Sequence, residues 1–167
     1  CDEAHRETSP TPFLSVLVHD SLEKGADITF GGARYNPSGV QGVGIANLAD
    51  SLYAIKRAVF EERSISWQRL LEILGRDWSG EGDEVIRQRL INCYAKYGND
   101  IDEVDELGRY FLQYYGERVA TYDNVRDGRF QPGSYTVSAH IPLGAAVGAT
   151  PDGRRSGEQL ADGGLSP

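Results

Sequence analysis

SWQRLLEILG, at residues 66–75, has the pattern of an amphipathic helix with a defined beginning and end. Ser66 is a residue type whose side chain accepts a hydrogen bond from a backbone N–H group of the first turn. Gly75 can end the helix, because glycine adopts the backbone conformation that stops one. The apolar side chains form one stripe at helical spacing: Trp67, Leu70, Leu71 and Leu74. The stretch therefore predicts a helix with one side packed on a core.

Similar patterns on both sides of this stretch predict a mostly helical region. Asn47 is a candidate cap for a preceding helix, whose apolar stripe is Leu48, Leu52, Ile55 and Val59. A following helix starts at about Asp83 and carries Ile86, Leu90 and Cys93. Another, from Asp102 to about Tyr122, carries Val104, Leu107, Phe111 and Tyr115. Each helix is apolar on one side only, so we expect each to face a core.

The N-terminal part predicts one further helix and then a short strand. Apolar residues recur at helical spacing between Pro12 and Leu22, with Thr11 as a cap and Gly25 as a stop. Residues 30–39, FGGARYNPSG, contain too many glycines and prolines for a long regular element, so we expect a short strand and an ordered loop there.

The pattern changes after Gly133. Apolar residues alternate with polar ones over Tyr135–Ile141, which is the two-residue period of a strand. Two short strands separated by roughly a hundred residues do not make a stable sheet on their own. We therefore expect the missing strands to belong to the rest of a larger protein, and the 167 residues to form a single, incomplete domain.

Composition excludes several classes of protein. A hydrophobic fraction of 40% is that of a globular chain, and no apolar run reaches the about 18 residues of a membrane span. Residues 1–10, CDEAHRETSP, lack the features of a signal peptide, so we expect a cytoplasmic protein. The net charge of -8 and the dispersed Lys and Arg residues argue against a nucleic-acid partner.

No metal site is predicted. The acidic residues between Asp100 and Glu106 are better explained by the start of a helix, where negative charge complements the helix dipole. His5 and His19 lack partners at metal-ligand spacing. Cys93 has no cysteine or histidine partner either, and we expect a buried thiol.

Five blocks of sequence resemble the pyruvate formate-lyase-like family of glycyl radical enzymes, in family order and at similar spacing. They are PTPFLS at 10–15, GGARYN at 31–36, NLADSL at 47–52, KYGND at 96–100 and ATPDGRR at 149–155. The resemblance extends from about His5 to Pro167. It implies the α/β fold class, as a fragment of a ten-stranded glycyl radical enzyme barrel that is mostly helical within this segment. The rest of that parent barrel would be its partner.

The chemistry implied by the resemblance is carried by residues outside this chain. In such enzymes a separate radical S-adenosylmethionine activating enzyme installs a backbone glycyl radical, which oxidises a cysteine that abstracts hydrogen from the substrate. Nothing in the 167 residues matches the Arg-Val-(Ser/Thr)-Gly-Tyr type motif of the radical glycine or the Gly-Cys-x-Glu type cysteine loop. We therefore assign no catalytic residue and no bound cofactor to this segment and expect it to be inactive alone.

Two stretches are similar to the branch of the family that eliminates water or an amine: GVQGVGIAN at 39–47 and LADGGLSP at 160–167. The resemblance implies a small polar substrate such as glycerol, a diol, choline or hydroxyproline, a homodimer, and a location in the cytoplasm or a bacterial microcompartment. Two alternatives stay open. One is a formate acetyltransferase of the pyruvate formate-lyase type, and the other is a scaffold or binding module without chemistry.

The candidate substrate-binding residues come mainly from the polar side of the predicted late strand. Alternate residues of a barrel strand point inward, which makes Thr136 the first candidate, with Tyr135 and His140 after it. Tyr97 precedes a sharp Gly98-Asn99-Asp100 turn, from which its hydroxyl can project towards a substrate. A structural role in which each side chain is simply hydrogen-bonded is the alternative for all four.

Three further polar stretches have structural explanations. Asn36 is expected to bond its own backbone in a turn, although the neighbouring glycines also suit a loop near a radical site. Residues 150–155, TPDGRR, predict a turn closed by Asp152, with its arginines paired to carboxylates elsewhere in the parent barrel rather than to a bound anionic ligand. The stretch GVGIAN at 42–47 lacks the third glycine of a dinucleotide-binding loop.

Overall fold

The computed structural model describes residues 2–162, and their regular secondary structure is mostly helical, as the sequence predicts. The α-helices are α1 Asp2–Thr8, α2 Pro12–Ser15, α3 Ser21–Lys24, α4 Ile45–Ile55, α5 Trp67–Gly75, α6 Asp83–Asn92, α7 Asp102–Val119 and α8 His140–Ala145. A 3₁₀ turn covers Ile28–Phe30, and a π-helical turn over Lys56–Glu61 continues α4. The strands are β1 Ser38–Gln41 and β2 Phe130–Gly133. None of the helices in this range is long and apolar enough to cross a membrane.

The chain divides into two compact units. The first unit comprises Cys1–Gln41 and Tyr114–Gly133, and the second comprises Gly42–Gln113 and Ser134–Pro167. The division falls within α7, whose residues belong to the second unit up to Gln113 and to the first unit from Tyr114.

The second unit has the larger hydrophobic core, which is built from the helices predicted around residues 66–75. Its buried members are Ala49, Tyr53, Ala54, Ala58, Val59, Ile65, Leu70, Ile73, Trp78, Leu90, Tyr94 and Val104. Leu70, Ile73 and Val104 are essentially inaccessible to water, and burial of such a side chain stabilises a fold by about 1.5–3 kcal/mol. The hydroxyl of Ser66 accepts a hydrogen bond from the N–H of Arg69 at 3.1 Å, which confirms the predicted cap.

Two predictions for this unit were wrong. Helix α4 starts at Ile45, after Gly44 in the left-handed region at φ 86°, and not after a cap at Asn47. Its buried side includes Ala46 and Ala49, while Leu48 of the predicted stripe remains 38% exposed. Small side chains let the helix backbone approach its neighbours closely. A stripe of large apolar residues therefore does not identify the buried side of α4. The thiol of Cys93, expected to be buried, is exposed at the end of α6.

The predicted helix over Pro12–Leu22 is also wrong. Two short helices, α2 and α3, replace it, and Asp20 between them has a left-handed backbone at φ 74°. Gly25 ends α3 at φ 60°, as expected. The apolar side chains of this region stay exposed, with Phe13 at 81% and Leu17 at 70%. Without a core to pack against, the apolar pattern does not hold one continuous helix together.

Hydrogen bonds to the carboxylate of Asp27 hold the region of α2 and α3 together instead. Its carboxylate accepts the N–H of Thr11 at 2.9 Å, the hydroxyl of Ser15 at 2.8 Å, and the N–H and hydroxyl of Thr29 at 2.9 and 2.7 Å. Burial alone would raise the pKa of the Asp27 carboxyl, but the hydrogen bonds from Thr29, Ser15 and Thr11 lower that pKa to about 2.

The first unit contains a two-stranded parallel sheet. Ser38 is paired with Phe130, and Gln41 with Gly133. Asn36, just before β1, donates to the carbonyls of Gly31 and Ala33, which confirms the local turn expected there.

The strand predicted over Tyr135–Ile141 is wrong. The strand β2 ends at Gly133, a turn follows, and α8 begins at His140. Val137 within the turn has φ 49°, a conformation that a β-branched residue rarely adopts. The alternation of apolar and polar residues therefore does not correspond to two sides of a strand.

We predict that Asp27→Asn destabilises the protein by about 1–2 kcal/mol at neutral pH, because the amide loses the charge and one acceptor oxygen. The pKa of Asp27 is lower in the folded state than its ordinary value of 3.8, so its contribution is complete above pH 3.8 and is lost as the pH falls towards about 2. Urea unfolding at several pH values measures this. Asp123→Asn is the matched control, because the Asp123 side chain is 80% exposed. An Asp27→Asn variant as stable as the control variant would contradict the assigned role.

Candidate functional site

The buried amide of Asn47 is the centre of the second unit's polar interior. Its Nδ2 donates to Oδ2 of Asp152 at 2.7 Å, and its Oδ1 accepts the N–H of Ala161 at 2.7 Å. Asn47 is 5% exposed and Asp152 is 8% exposed. This single side chain thereby joins α4 to two segments that lie more than a hundred residues further along the chain.

The segment TPDGRR at 150–155 forms the turn that the sequence predicts. Oδ1 of Asp152 accepts the hydroxyl of Thr150 at 2.5 Å and the N–H of Arg154 at 3.3 Å, which closes the turn. The hydroxyl of Ser51 on α4 accepts the N–H of Asp152 at 3.3 Å. Asp152 is therefore hydrogen-bonded through both its backbone N–H and its carboxylate.

The two arginines of this turn differ in their partners. Arg155 does pair with a carboxylate, but with that of Glu84 in this chain, at 2.7 Å, and not with one in the rest of the parent barrel. The prediction of a carboxylate partner was wrong for Arg154, whose guanidinium is buried and donates to the carbonyls of Val147, Gly148, Arg155 and Glu158. Its own carbonyl accepts the indole N–H of Trp78 at 3.2 Å. Arg154 thus holds an irregular segment together through backbone oxygens.

A cavity of about 640 Å³ lies beside this network in the second unit. Its lining includes both cationic and anionic side chains among apolar ones. The residues are Asn47, Asp50, Arg87, Ile91, Lys96, Asp152, Gly153, Arg154, Glu158, Gln159, Leu160, Ala161 and Asp162. Lys96 donates to the carbonyls of Leu90 and Asp152 at 3.3 Å each. Mixed charges of this kind suit a polar ligand or a polar segment of polypeptide better than a simple anion.

Thr136 and His140, two of the predicted site residues, meet at Asp162. The hydroxyl of Thr136 donates to Oδ1 of Asp162 at 2.6 Å, and Nδ1 of His140 lies 3.5 Å from the same oxygen. Thr136 is 4% exposed and His140 is 8% exposed. Within residues 2–162, Nδ1 of His140 makes no aligned hydrogen bond. The cluster brings together the buried hydroxyl of Thr136, the buried imidazole of His140 and the carboxylate of Asp162, whose side chain is 68% exposed.

Tyr97 and Tyr135 differ in their surroundings. The backbone N–H of Tyr97 donates to Oδ1 of Asp50 at 2.7 Å, and its ring packs against Gly108, where an added Cβ would lie 2.3 Å from the ring. Tyr97 lines a second, more open groove of about 740 Å³ with residues of α7. Tyr135 is 57% exposed.

No group of three or more potential metal ligands occurs among the residues that the structure describes. The acidic residues Asp102, Glu103 and Asp105 lie in the first turn of α7, as predicted. Glu103 accepts the hydroxyl of Tyr53 at 2.9 Å. Burial, followed by this hydrogen bond, raises the pKa of Tyr53.

Sequence reasoning missed three members of the site. Asn47 was interpreted as a helix cap, because a polar residue just before an apolar run has that signature. Asp152 was recognised as a turn residue, but nothing in its spacing indicated a bond to Asn47, 105 positions away. Asp162 lies in a glycine-rich stretch with no periodicity at all.

Comparisons with known proteins give a consistent result. A family model described as "Pyruvate formate lyase-like" matches residues 1–144. The "Probable dehydratase YbiW" of Escherichia coli (strain K12) is 45% identical over 156 residues, which are 89% of this chain and 19% of that protein.

Two solved structures superimpose on most of the chain. The glycerol-bound form of the B12-independent glycerol dehydratase from Clostridium butyricum matches with a TM-score of 0.88 and 47% identity, over 96% of this chain and 20% of that one. A glycyl radical enzyme from Archaeoglobus fulgidus matches with a TM-score of 0.87 and 38% identity, also over 96% and 20%. The chain therefore spans about a fifth of the length of the proteins it matches.

We predict that Asn47→Ala destabilises the second unit by about 2–4 kcal/mol, because it leaves Oδ2 of Asp152 and the N–H of Ala161 without their partner. Urea unfolding followed by tryptophan fluorescence measures the loss, since Trp78 is bonded to the same turn. Asn92→Ala is the control, because Asn92 is exposed and its side chain bonds, within the described part of the chain, to Gln88 alone, one helical turn away. Equal stability of the two variants would show that the buried network contributes little.

Proposed function

Because the chain belongs to the pyruvate formate lyase-like family, we propose that it is part of a glycyl radical enzyme that catalyses radical elimination, dehydration or C–N cleavage, on a small polar substrate. The observation that carries this proposal is the 47% identity to the glycerol dehydratase over 96% of the chain. Identity at that level over aligned helices and loops supports a dehydratase-like parent more strongly than a fold match alone.

The parent we propose is a closed barrel of ten strands, to which this segment contributes β1, β2 and the helices around them. A parallel pair of short strands supports this, because parallel strands are stable only when further strands and helices cover them. The exposed apolar side chains of α2 and α3, such as Phe13 and Leu22, would then pack against the remainder of the barrel.

Within that parent, the segment would shape the substrate pocket without performing the radical step. The glycyl radical, supplied by a glycine outside these residues and installed by a radical S-adenosylmethionine activating enzyme, would provide hydrogen abstraction through a cysteine. Thr136 remains our first candidate for substrate contact, and His140 follows it, because the two place a hydroxyl and an imidazole beside Asp162. Such groups suit the hydroxyls of glycerol or a diol, or the polar groups of choline or hydroxyproline.

Tyr135 and Tyr97 are weaker candidates for the same role. Tyr135 is exposed next to Thr136, so another part of the parent must cover it before it lines a closed pocket. Tyr97 would act from the separate groove along α7. We propose that the parent is a homodimer in the cytoplasm or in a bacterial microcompartment.

A formate acetyltransferase is the alternative, favoured only by the description of the matching family. Two consecutive cysteines in the upstream loop would identify it. A scaffold without chemistry is the other alternative, consistent with the lack of both family motifs in these residues. An intact reading frame with neither motif on either side would favour the scaffold.

We predict that the full-length polypeptide containing these residues acquires a glycyl radical signal in electron paramagnetic resonance when it is incubated anaerobically with its activating enzyme. The activated protein is then expected to convert a polyol to an aldehyde and water, or an amino alcohol to an aldehyde and an amine. A polypeptide that carries the radical motif but forms no radical under these conditions would contradict the proposal.

We predict that Thr136→Ala in that polypeptide lowers kcat/KM by about 10-fold or more, because the cluster around Asp162 loses its hydroxyl. The glycyl radical signal should stay unchanged, which separates a pocket role from a failure of activation. Thr136→Ser keeps the hydroxyl and should restore most of the activity. Thr121→Ala is the matched control, since the hydroxyl of Thr121 is exposed and, among residues 2–162, bonds to the carbonyl of Arg118 alone. Unchanged kinetics in Thr136→Ala would remove Thr136 from the pocket.

A further inference from the structure

The imidazole of His140 has a buried nitrogen without an aligned hydrogen bond. The residue is 8% exposed, and its Nδ1 finds no aligned partner among residues 2–162. A buried polar atom in this state is unfavourable, because it has lost its bonds to water without replacing them. A carboxylate oxygen lies close by, since Oδ1 of Asp162 is 3.5 Å from Nδ1.

Backbone contacts hold the segment that carries Asp162 against α8. The N–H of Leu160 donates to the carbonyl of His140 at 3.1 Å. One turn further along α8, an added Cβ on Gly144 would lie 2.4 Å from the carbonyl oxygen of Glu158, so the helix and the segment are in close contact. The position of Asp162 beside the imidazole is therefore set by the backbone on either side of the pair.

Two further bonds fix Asp162 more closely. The N–H of Ala161, the residue before it, donates to Oδ1 of Asn47 at 2.7 Å. The hydroxyl of Thr136 donates to Oδ1 of Asp162 at 2.6 Å, which keeps this oxygen on the side of His140. The Asp162 side chain is 68% exposed, so it has room for the shift of about 0.5 Å that would bring Oδ1 within hydrogen-bond distance of Nδ1.

We propose that Asp162 is a positioning residue, which accepts a hydrogen bond from Nδ1–H of His140 and thereby presents the unprotonated Nε2 to a hydroxyl group of the substrate. A neutral imidazole carries one proton, and the bond made by one ring nitrogen decides which nitrogen holds it. A carboxylate only accepts hydrogen bonds, so it stabilises the form with the proton on Nδ1. Nε2 then accepts a hydrogen bond and donates none.

This inference rests on the proposed function, in which His140 contacts the substrate, and it specifies what the contact recognises. The group bound at Nε2 must be a hydrogen-bond donor. The hydroxyl of glycerol, a diol, choline or hydroxyproline meets this requirement, whereas an ether or a carbonyl oxygen at the same place does not.

A double-mutant cycle in the full-length polypeptide tests whether Asp162 acts through His140. The variants are Asp162→Asn, His140→Ala and the two combined, assayed after anaerobic activation with glycerol, propane-1,2-diol, choline and hydroxyproline. Each single substitution should lower kcat/KM by about 10-fold or more, because the asparagine amide can donate to Nδ1 and so favours the opposite form of the ring. The combined variant should stay within about 2-fold of His140→Ala.

Three controls accompany the cycle. Asp162→Glu keeps a carboxylate and should retain more activity than Asp162→Asn. Asp123→Asn is the matched control, since the Asp123 side chain is 80% exposed, and it should leave kcat/KM unchanged. The glycyl radical signal should be equal in all variants, which separates a role in the pocket from a failure of folding or activation.

Unchanged kinetics in Asp162→Asn would overturn the proposal. Losses that multiply in the combined variant would overturn it too, because Asp162 would then act independently of His140. Both results leave the proposed function intact. An unsubstituted polypeptide that carries the radical motif but forms no radical, or converts none of the four compounds, would instead defeat the proposed function and the role of Asp162 with it.

Discussion

A buried polar group must exchange its bonds to water for bonds to protein, and in the second unit this constraint centres on Asn47. The amide satisfies a carboxylate oxygen of Asp152 and the backbone N–H of Ala161 at once. Asp152 in turn closes the turn that presents Arg154, and Arg154 gathers four backbone carbonyls. The irregular segment over residues 147–161 is held in place through these bonds.

Carboxylates organise irregular backbone in the rest of the molecule too. Asp27 does so in the first unit. In the second unit Asp83, fully buried at the start of α6, accepts bonds from Arg76, Arg69 and the N–H of Gly80. The hydrogen bonds from Arg76 outweigh the effect of burial and hold the pKa of the Asp83 carboxyl below its usual range. A charge in this position is stable because several donors surround it, and removal of any one donor leaves a buried charge less well compensated.

Sequence patterns identified the elements that depend on local signals. Helices α5, α6 and α7 were predicted close to their observed bounds, because each combines apolar periodicity with a start signal inside the segment. The failures have a common cause. The region of α2 and α3 shows helical periodicity but has no core beneath it, and Tyr135–Ile141 alternates without a neighbouring strand. A periodic pattern predicts which side chains would lie on the same side of a helix or strand. The helix or strand itself forms only where that apolar side can pack against another part of the protein.

The sequence by itself determined the helix-rich character of the chain, the turn at residues 150–155 and the family to which the blocks belong, because short-range backbone preferences and ordered motifs specify these. Only the tertiary structure decided that Thr136 and His140 share Asp162, that the ring of Tyr97 packs against Gly108 of α7, and that Asn47 is the centre of the polar interior. Those relations join positions up to 114 residues apart, and hydrogen bonds over such separations leave no period or spacing in a single sequence. They arise when folding removes water from polar groups and each group must find the nearest partner.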